Sequence, residues 1–283
     1  MTYAEWLREY RLKQIRLLKN NERIFGSHLR NLRGKISIPE SIDLSFTSHL
    51  RASLNEYATD YGESLKDQVH KSAALKIAGA ALLSVPFIVM LKKEHITTVL
   101  EKGPLGKIPG KIVESAFANV LPSGMTLSER IWDLRYEQDI ITLLRGSINA
   151  GFSTEQIAKQ LDGFILPDRN VITMTPYGRS LNFDSMRLAR TEVMTAARSA
   201  DFQMMRETPW VTGLRWDGSG GCEEICQPLD GEVYTSESEL PDTHPQCNCP
   251  VIPEVMSMDE WGDALSNYAE GNNEYGIGDW LAE

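Results

Sequence analysis

The sequence predicts a mainly α chain with a small C-terminal α+β zinc-knuckle-like domain, and three observations predict it. Apolar residues recur at helical spacing over most of the first two-thirds of the 283 residues. Short β-type runs bounded by glycine and proline gather between Val211 and Pro253. All four cysteines, Cys222, Cys226, Cys247 and Cys249, lie in that same stretch, with His244 three residues before Cys247.

Thr2 to Arg33 reads as one or two helices, with Tyr3, Leu7, Tyr10, Ile15, Leu18, Phe25, Leu29 and Leu32 forming an imperfect apolar stripe. Ile36 to Leu44 contains Pro39 and reads as a connector. From about Ser45 to His70 the apolar positions Leu50, Leu54, Tyr57, Tyr61, Leu65 and Val69 define one helix face. The run Ile77 to Leu91 carries no charge and contains Pro86. It is shorter than the roughly 20 residues a membrane span needs, so a buried helix or a hairpin turning near Ser84 to Pro86 is expected, and membrane contact is not. Gly103 to Gly110, reading GPLGKIPG, is expected to be a loop. Its glycines with Lys111 fall one residue short of phosphate-loop spacing, and Ile112 stands where Ser or Thr is required, so no nucleotide site is assigned there.

Thr126-Leu127-Ser128-Glu129 has the form of a capping box, and the following helix should stop at Gly151. Ser153 with Gln156 opens a shorter helix closed by Gly163. Its exposed Thr154, Glu155 and Asp162 suit packing better than a DNA-reading role. Phe164 to Ser180 is loop-like. Asn182 or Asp184 should cap the next helix, which runs to about Glu207. Along it Arg187, Arg190 and Arg198 are expected to pair with carboxylates, with Glu192 as a local candidate. Val211 to Trp216 and Glu232 to Tyr234 read as strands, and Val251 to Pro253 is placed to pair with the first. The acidic tail after Met258 carries Trp261, Tyr268, Tyr275 and Trp280, which suggests docking onto this protein or a neighbour, against disorder as the simpler alternative.

The pattern C-x3-C, a loop, then H-x2-C-x-C suits a tetrahedral zinc site in which two short turns each supply ligands. Cys222, Cys226, His244, Cys247 and Cys249 are five candidates for four positions, so one of His244, Cys247 and Cys249 is expected to be left over. One structural zinc ion is expected. Two disulfides, or thiols that simply pack, are the alternatives; no secretory signal is read at the start of the chain, which weighs against disulfides.

Charge is strongly polarised. Met1 to Ile36 holds nine Lys or Arg against three Asp or Glu, a net of +6, whereas Asp201 to Glu283 holds two Arg against eighteen acids, a net of −16. Such a chain is suited to two different neighbours, with the basic end facing nucleic acid or an acidic protein surface. The acidic flanks of the cysteine stretch repel phosphate, which argues against DNA binding there.

A strand ending in Arg215-Trp216, then C-x3-C, Leu229-Asp230-Gly231 and His244-Pro245-x-Cys247-x-Cys249, resembles the phage Mu F-like head morphogenesis family of minor head proteins. Ala189-Arg190-Thr191-Glu192 resembles that family's A-R-T-E segment, and Gly151-Phe152-Ser153 with Gln156-Ile157-Ala158 its short helix-turn element. The resemblance covers roughly Leu127 to Pro253. Asn248 stands where the family usually has arginine, and Pro241 is displaced from its usual place before the His-Pro.

The expected organisation is then a helical N-terminal region over 1–125 facing portal or DNA, a Mu F-like domain over 126–253, and an acidic tail over 254–283. The resemblance implies a structural minor head protein, made in the bacterial host cytoplasm and held in the capsid interior of the virion. Its expected neighbours are the portal protein, the major capsid or scaffold protein, and viral double-stranded DNA reached through the basic N-terminal helix. Its expected tasks are head assembly, DNA packaging or genome ejection. A zinc-knuckle nucleic-acid-binding regulator is the alternative. An ADP-ribosyltransferase-like enzyme is a weaker one, resting on Glu237-Ser238-Glu239, and no enzymatic activity is expected. Toxin domains that follow the knuckle in some relatives would find no room in the thirty or so residues after Pro253.

Overall fold

The computed structural model describes residues 3–91, 104–120, 124–166, 174–175, 178–218, 225–241, 244 and 247–282. Most of them are helical: α1 (Tyr3–Lys35), α2 (Leu44–Leu91), α3 (Pro104–Ala118), α4 (Leu127–Asp133), α5 (Glu137–Asn149), α6 (Thr154–Ile165), α7 (Leu181–Arg206), α8 (Met258–Ala269) and α9 (Ile277–Ala282). Strands β1 (Met174–Thr175) and β2 (Gly178–Arg179) form a minimal antiparallel pair. Strands β3 (Val211–Trp216), β4 (Val233–Tyr234) and β5 (Val251–Val255) form an antiparallel sheet with β3 in the centre.

The chain divides into two compact units, each drawn from separate stretches. One combines Leu18–Gln68 with Ala116–Arg190, and the other Met1–Leu17, Val69–Ser115 and Thr191–Glu283.

In the first unit the four-three-four spacing on α2 puts Leu50, Leu54, Tyr57, Tyr61 and Leu65 on one buried face. Phe25 of α1 meets Tyr61 at 4.8 Å between ring centroids. The two tyrosine hydroxyls are satisfied on α7: Tyr57 Oη lies 2.6 Å from Ser185 Oγ, and Tyr61 Oη donates to the Ser185 carbonyl at 2.6 Å. Both sequence-read capping boxes form. Thr126 Oγ1 accepts from Glu129 N while Glu129 Oε2 accepts from Thr126 N, and Ser153 and Gln156 repeat the exchange.

Several expectations need correction in this unit. The helix expected from Leu127 to Gly151 is interrupted between α4 and α5, where Tyr136 adopts φ 50°. A non-glycine residue there is uncommon and needs outside support. Tyr136 receives it from its hydroxyl bond to Asp184 and its edge-on contact with Phe164. Asp184 is thus occupied, and Asn182 donates to the Leu166 carbonyl at 2.6 Å. Ser180 caps α7 instead, its hydroxyl accepting from Phe183 N at 3.2 Å. Helix α6 continues through Gly163 to Ile165, because Phe164 and Ile165 are fully buried. Of the expected 164–180 loop, 167–173 and 176–177 lie outside the described residues.

In the second unit α2 continues through Ser84 to Pro86 as one helix to Leu91, the helical alternative rather than the hairpin. Ser84 is fixed from two sides, donating to the Ala80 carbonyl at 2.8 Å and accepting from Trp210 Nε1 at 3.0 Å. The glycine- and proline-rich segment expected to be a loop is helical from Pro104. Proline is favoured at a first helical position, and Ile108 and Ile112 are buried one turn apart. No helix among the described residues is long and apolar enough to cross a membrane.

The tail docks on this protein rather than hanging free. Trp261 of α8 and Ile277 of α9 join Phe87, Trp210, Met256 and Ala264 in one buried cluster. Trp210 stacks on Phe87 at 5.7 Å and takes Trp261 and Trp280 edge-on at 5.7 and 5.2 Å. Of the tail's other aromatics, Tyr268 packs at the edge of this cluster and Tyr275 remains exposed.

Candidate metal centre

Cys226, Cys247 and Cys249 come together at the end of the three-stranded sheet where β3 finishes and β5 begins. Two backbone legs bring them there. Beyond Trp216 the chain returns to the same strand end: Trp216 N donates to the Glu232 carbonyl at 2.7 Å, and Gly231 N to the Trp216 carbonyl at 3.0 Å. Cys226 stands at the head of this leg, followed by a short 3-10 turn over Gln227–Leu229 with proline near its start. Gly218 makes that approach possible. A Cβ there would sit 2.6 Å from the Cys226 carbonyl oxygen, so only glycine fits, and Gly218 N is held by Asp230 Oδ1 at 2.7 Å. The second leg starts at His244, whose carbonyl accepts from Cys247 N at 3.1 Å. Cys249 follows, and Asp217 N donates to the Pro250 carbonyl, locking this leg onto the end of β3.

The outcome is a group of three buried free thiols. The sulfurs of Cys226, Cys247 and Cys249 all lie within 4.8 Å of one another. Cys226 Sγ and Cys247 Sγ are 3.8 Å apart, and His244 Nε2 reaches Cys226 Sγ at 3.0 Å. Phe202, Leu214, Trp216 and Val251 enclose the thiols. Burial pushes the Cys249 thiol up, and the sulfurs of Cys226 and Cys247 add to the effect. Three sulfurs at this spacing, with an imidazole nitrogen beside one of them, could hold a metal ion. Soft donors select soft or borderline metals over calcium or magnesium. Cys247 and Cys249 both join Cys226 in the group, and Cys222 lies outside the described residues.

Sequence reasoning missed what surrounds the thiols. Arg198, on α7, was expected to pair with a carboxylate. It is 5% exposed, and among its contacts it donates to Cys247 Sγ at 3.6 Å and lies over the Trp216 ring at 5.7 Å. Beside it Lys76 of α2 and Asp201 of α7 form a fully buried ion pair at 2.6 Å. Lys76 also donates to the Val251 carbonyl at 3.2 Å and lies over the Tyr10 ring at 4.8 Å. Burial pushes Asp201 up to about 6 against the pull of Lys76, and pushes Lys76 down against the pull of Asp201. At the same strand end Asp217 is paired with Arg11 of α1. The only signals in the sequence were Lys76 at the border of an apolar run and three arginines at near-helical spacing, neither of which specifies a neighbour.

Of the other arginines on α7, Arg190 pairs with Glu22 at 2.5 Å. Glu192 is 8% exposed, and burial raises its carboxyl to about 7. The sign follows from linkage. A carboxyl raised above its unfolded value costs no stability below about pH 4.5, and costs progressively more as pH rises through 7. Glu192→Gln should therefore match the parent at pH 5 and exceed it at pH 8 by on the order of 2–3 kcal/mol. Urea unfolding at the two pH values checks this, and an unchanged difference between them would refute it.

Glu237 and Glu239 are both engaged in local structure. Glu239 Oε2 accepts from Thr235 N at 3.0 Å, Thr235 Oγ1 at 3.1 Å and Ser236 N at 3.2 Å, closing a capping box, and these donors hold its carboxyl low. Glu237 Oε1 accepts from Ser199 Oγ at 3.0 Å.

No family model, no curated protein and no solved structure matches this chain.

Proposed function

We propose that this chain is a structural minor head protein of a tailed phage, bound near the portal inside the capsid, where it assists head assembly, DNA packaging or genome ejection. We also propose that Cys226, His244, Cys247 and Cys249 hold one structural zinc ion. The observation that carries the reading is the convergence of Cys226, from the C-x3-C segment, with Cys247 and Cys249, from the H-x2-C-x-C segment, into one buried thiol group at the end of a three-stranded sheet. Those are the segments on which the resemblance to Mu F-like proteins rests. Three thiolates and one imidazole complete a tetrahedral set, and each ligand comes from a short turn that the metal would pin to β3. The ligands are packed among apolar side chains, which suits a structural ion.

The E-x-E pair that could suggest transferase chemistry is occupied in capping a 3-10 turn and in a bond to Ser199, which favours a non-enzymatic role. Double-stranded DNA enters this reading through α1, whose N-terminal part exposes Arg8, Lys13 and Arg16. Salt-sensitive retention of the purified chain on duplex DNA should disappear when these three are reversed to glutamate. Retention that persists would remove α1 as the contact.

The test of the reading is a count of this chain against portal protein in purified particles by quantitative mass spectrometry. A few copies per portal ring are expected. Particles that carry portal and lack this chain would overturn the assignment and favour a zinc-knuckle regulator or a transient assembly factor.

A further inference from the structure

Two surfaces of the second unit are opposite in charge and alike in carrying apolar side chains. The first is a groove of about 410 Å3 between the end of α7 and α9 with the turn before it. Val211 and Trp280 give it an apolar wall, and Tyr275 stands exposed beside them. Its acids are Glu207, Glu274 and Asp279, against the single base Arg206. Asn273 Nδ2 donates to Asp279 at 3.2 Å and fixes that carboxylate on the rim. Pockets of roughly 300–1,000 Å3 take up small ligands, so the groove has room for a pair of aliphatic side chains. The second surface is a face of α1. Arg8, Leu12 and Ile15 follow one another at steps of four and three and so share one side of the helix. Leu12 and Ile15 are 45% and 48% exposed. Arg8, Lys13 and Arg16 are exposed around them, and Glu9 is the one acid between Arg8 and Arg16.

We propose that this chain associates with itself head to tail, the Leu12 and Ile15 face of α1 in one copy docking into the acidic groove of the next. This association requires neither a metal at the thiol group nor a place in a phage head. Charge complementarity selects the occupant. Arg8 and Arg16 bracket the apolar pair, about 12 Å apart along the helix axis, and meet the carboxylates of the rim, while Leu12 and Ile15 cover Tyr275 and Trp280. Duplex DNA has the wrong sign for this groove. Because the two surfaces differ, the contact is heterologous: every copy added leaves one face and one groove open, and growth stops only when a ring closes. A contact this small is weak, and association should therefore depend on concentration.

The test is sedimentation equilibrium of the full-length chain, freed of nucleic acid, over a wide range of protein concentration. The mean mass should rise with concentration at about 0.05 M salt and fall to that of one chain at about 0.5 M, where screening confines charge interactions to a few ångström. Arg8→Glu with Arg16→Glu spoils the α1 face, and Glu207→Lys with Glu274→Lys spoils the groove. Either pair should weaken association by roughly 10–100-fold, because like charges then meet across the contact. Mixed together, the two variants still offer one intact face and one intact groove, so they should form a 1:1 dimer and nothing larger. Circular dichroism identifies a variant that has lost its helices; Leu12→Ser with Ile15→Ser then replaces the α1 variant, and Tyr275→Ser the groove variant. A chain that stays single at low salt would overturn the proposal. So would a groove variant that associates as the parent does, which would place α1 on some other surface, or a mixture of the two variants that fails to dimerise.

Discussion

Replacing Cys247 with alanine should unravel the three-stranded sheet, and so should a strong chelator added to the unmutated chain. The sheet's own pairing is short. Strand β4 has two residues and β5 five, and only β3 pairs on both sides. Isolated pairings this short are marginal in water. In small zinc domains the metal supplies apparent folding free energy of about 10–16 kcal/mol. Here β3 and β5 also rest on the Trp210 cluster, through the partly buried Val211 and Val255. The loss should therefore be smaller, on the order of 5 kcal/mol, and still comparable with the whole stability of an ordinary domain. Hydrogen exchange followed by mass spectrometry should show protection lost over Val211–Trp216 and Val251–Val255. Peptides from α8, which packs through Trp261 against Phe87 and Trp210, should change least. Added Zn2+ should restore protection in the chelated chain and fail to do so in Cys247→Ala. A sheet that keeps its protection through chelation under reducing conditions would mean that the thiols merely pack.

How far the site could be read in advance depends on the range of the interaction. The capping boxes at Thr126 and Ser153 are contained in four residues each and formed as written. The closeness of Cys247 and Cys249 is local in the same way, whereas Cys226 reaches them from 21 positions away. What failed was local reasoning where a distant residue decides. Glycine and proline in GPLGKIPG signal a loop until Ile108 and Ile112 are buried. Ser84-Val85-Pro86 left helix and hairpin both open locally, and the bond from Trp210 belongs to the helix. The break at Tyr136 has no glycine to announce it, and the support comes from Asp184, 48 positions away. The bond from Arg198 to a sulfur 49 positions on had no local signal either.

The same limitation hid Lys76 and Asp201, 125 positions apart, and their pairing leads to the other large effect. Lys76→Met should cost about 3–5 kcal/mol, because it removes the ammonium that faces a carboxylate 2% exposed in the interior and leaves it only the weaker pull of Arg198. The double substitution Lys76→Met with Asp201→Leu should cost much less, within about 1–2 kcal/mol of the parent, because two apolar side chains of similar volume need no desolvation repaid. The penalty in the single variant should also depend on pH. Without Lys76 the Asp201 carboxyl rises further above its unfolded value. It then costs little below about pH 4 and more as pH climbs through its folded value, which already stands near 6 with the lysine present. Denaturant unfolding at pH 5 and pH 8 should therefore show Lys76→Met closer to the parent in acid, with the double variant insensitive to the change. Equal costs for the single and double variants would place the stabilisation in the packing of the lysine stem against Tyr10. A penalty flat in pH would mean that Asp201 finds other hydrogen-bond donors when its lysine is removed.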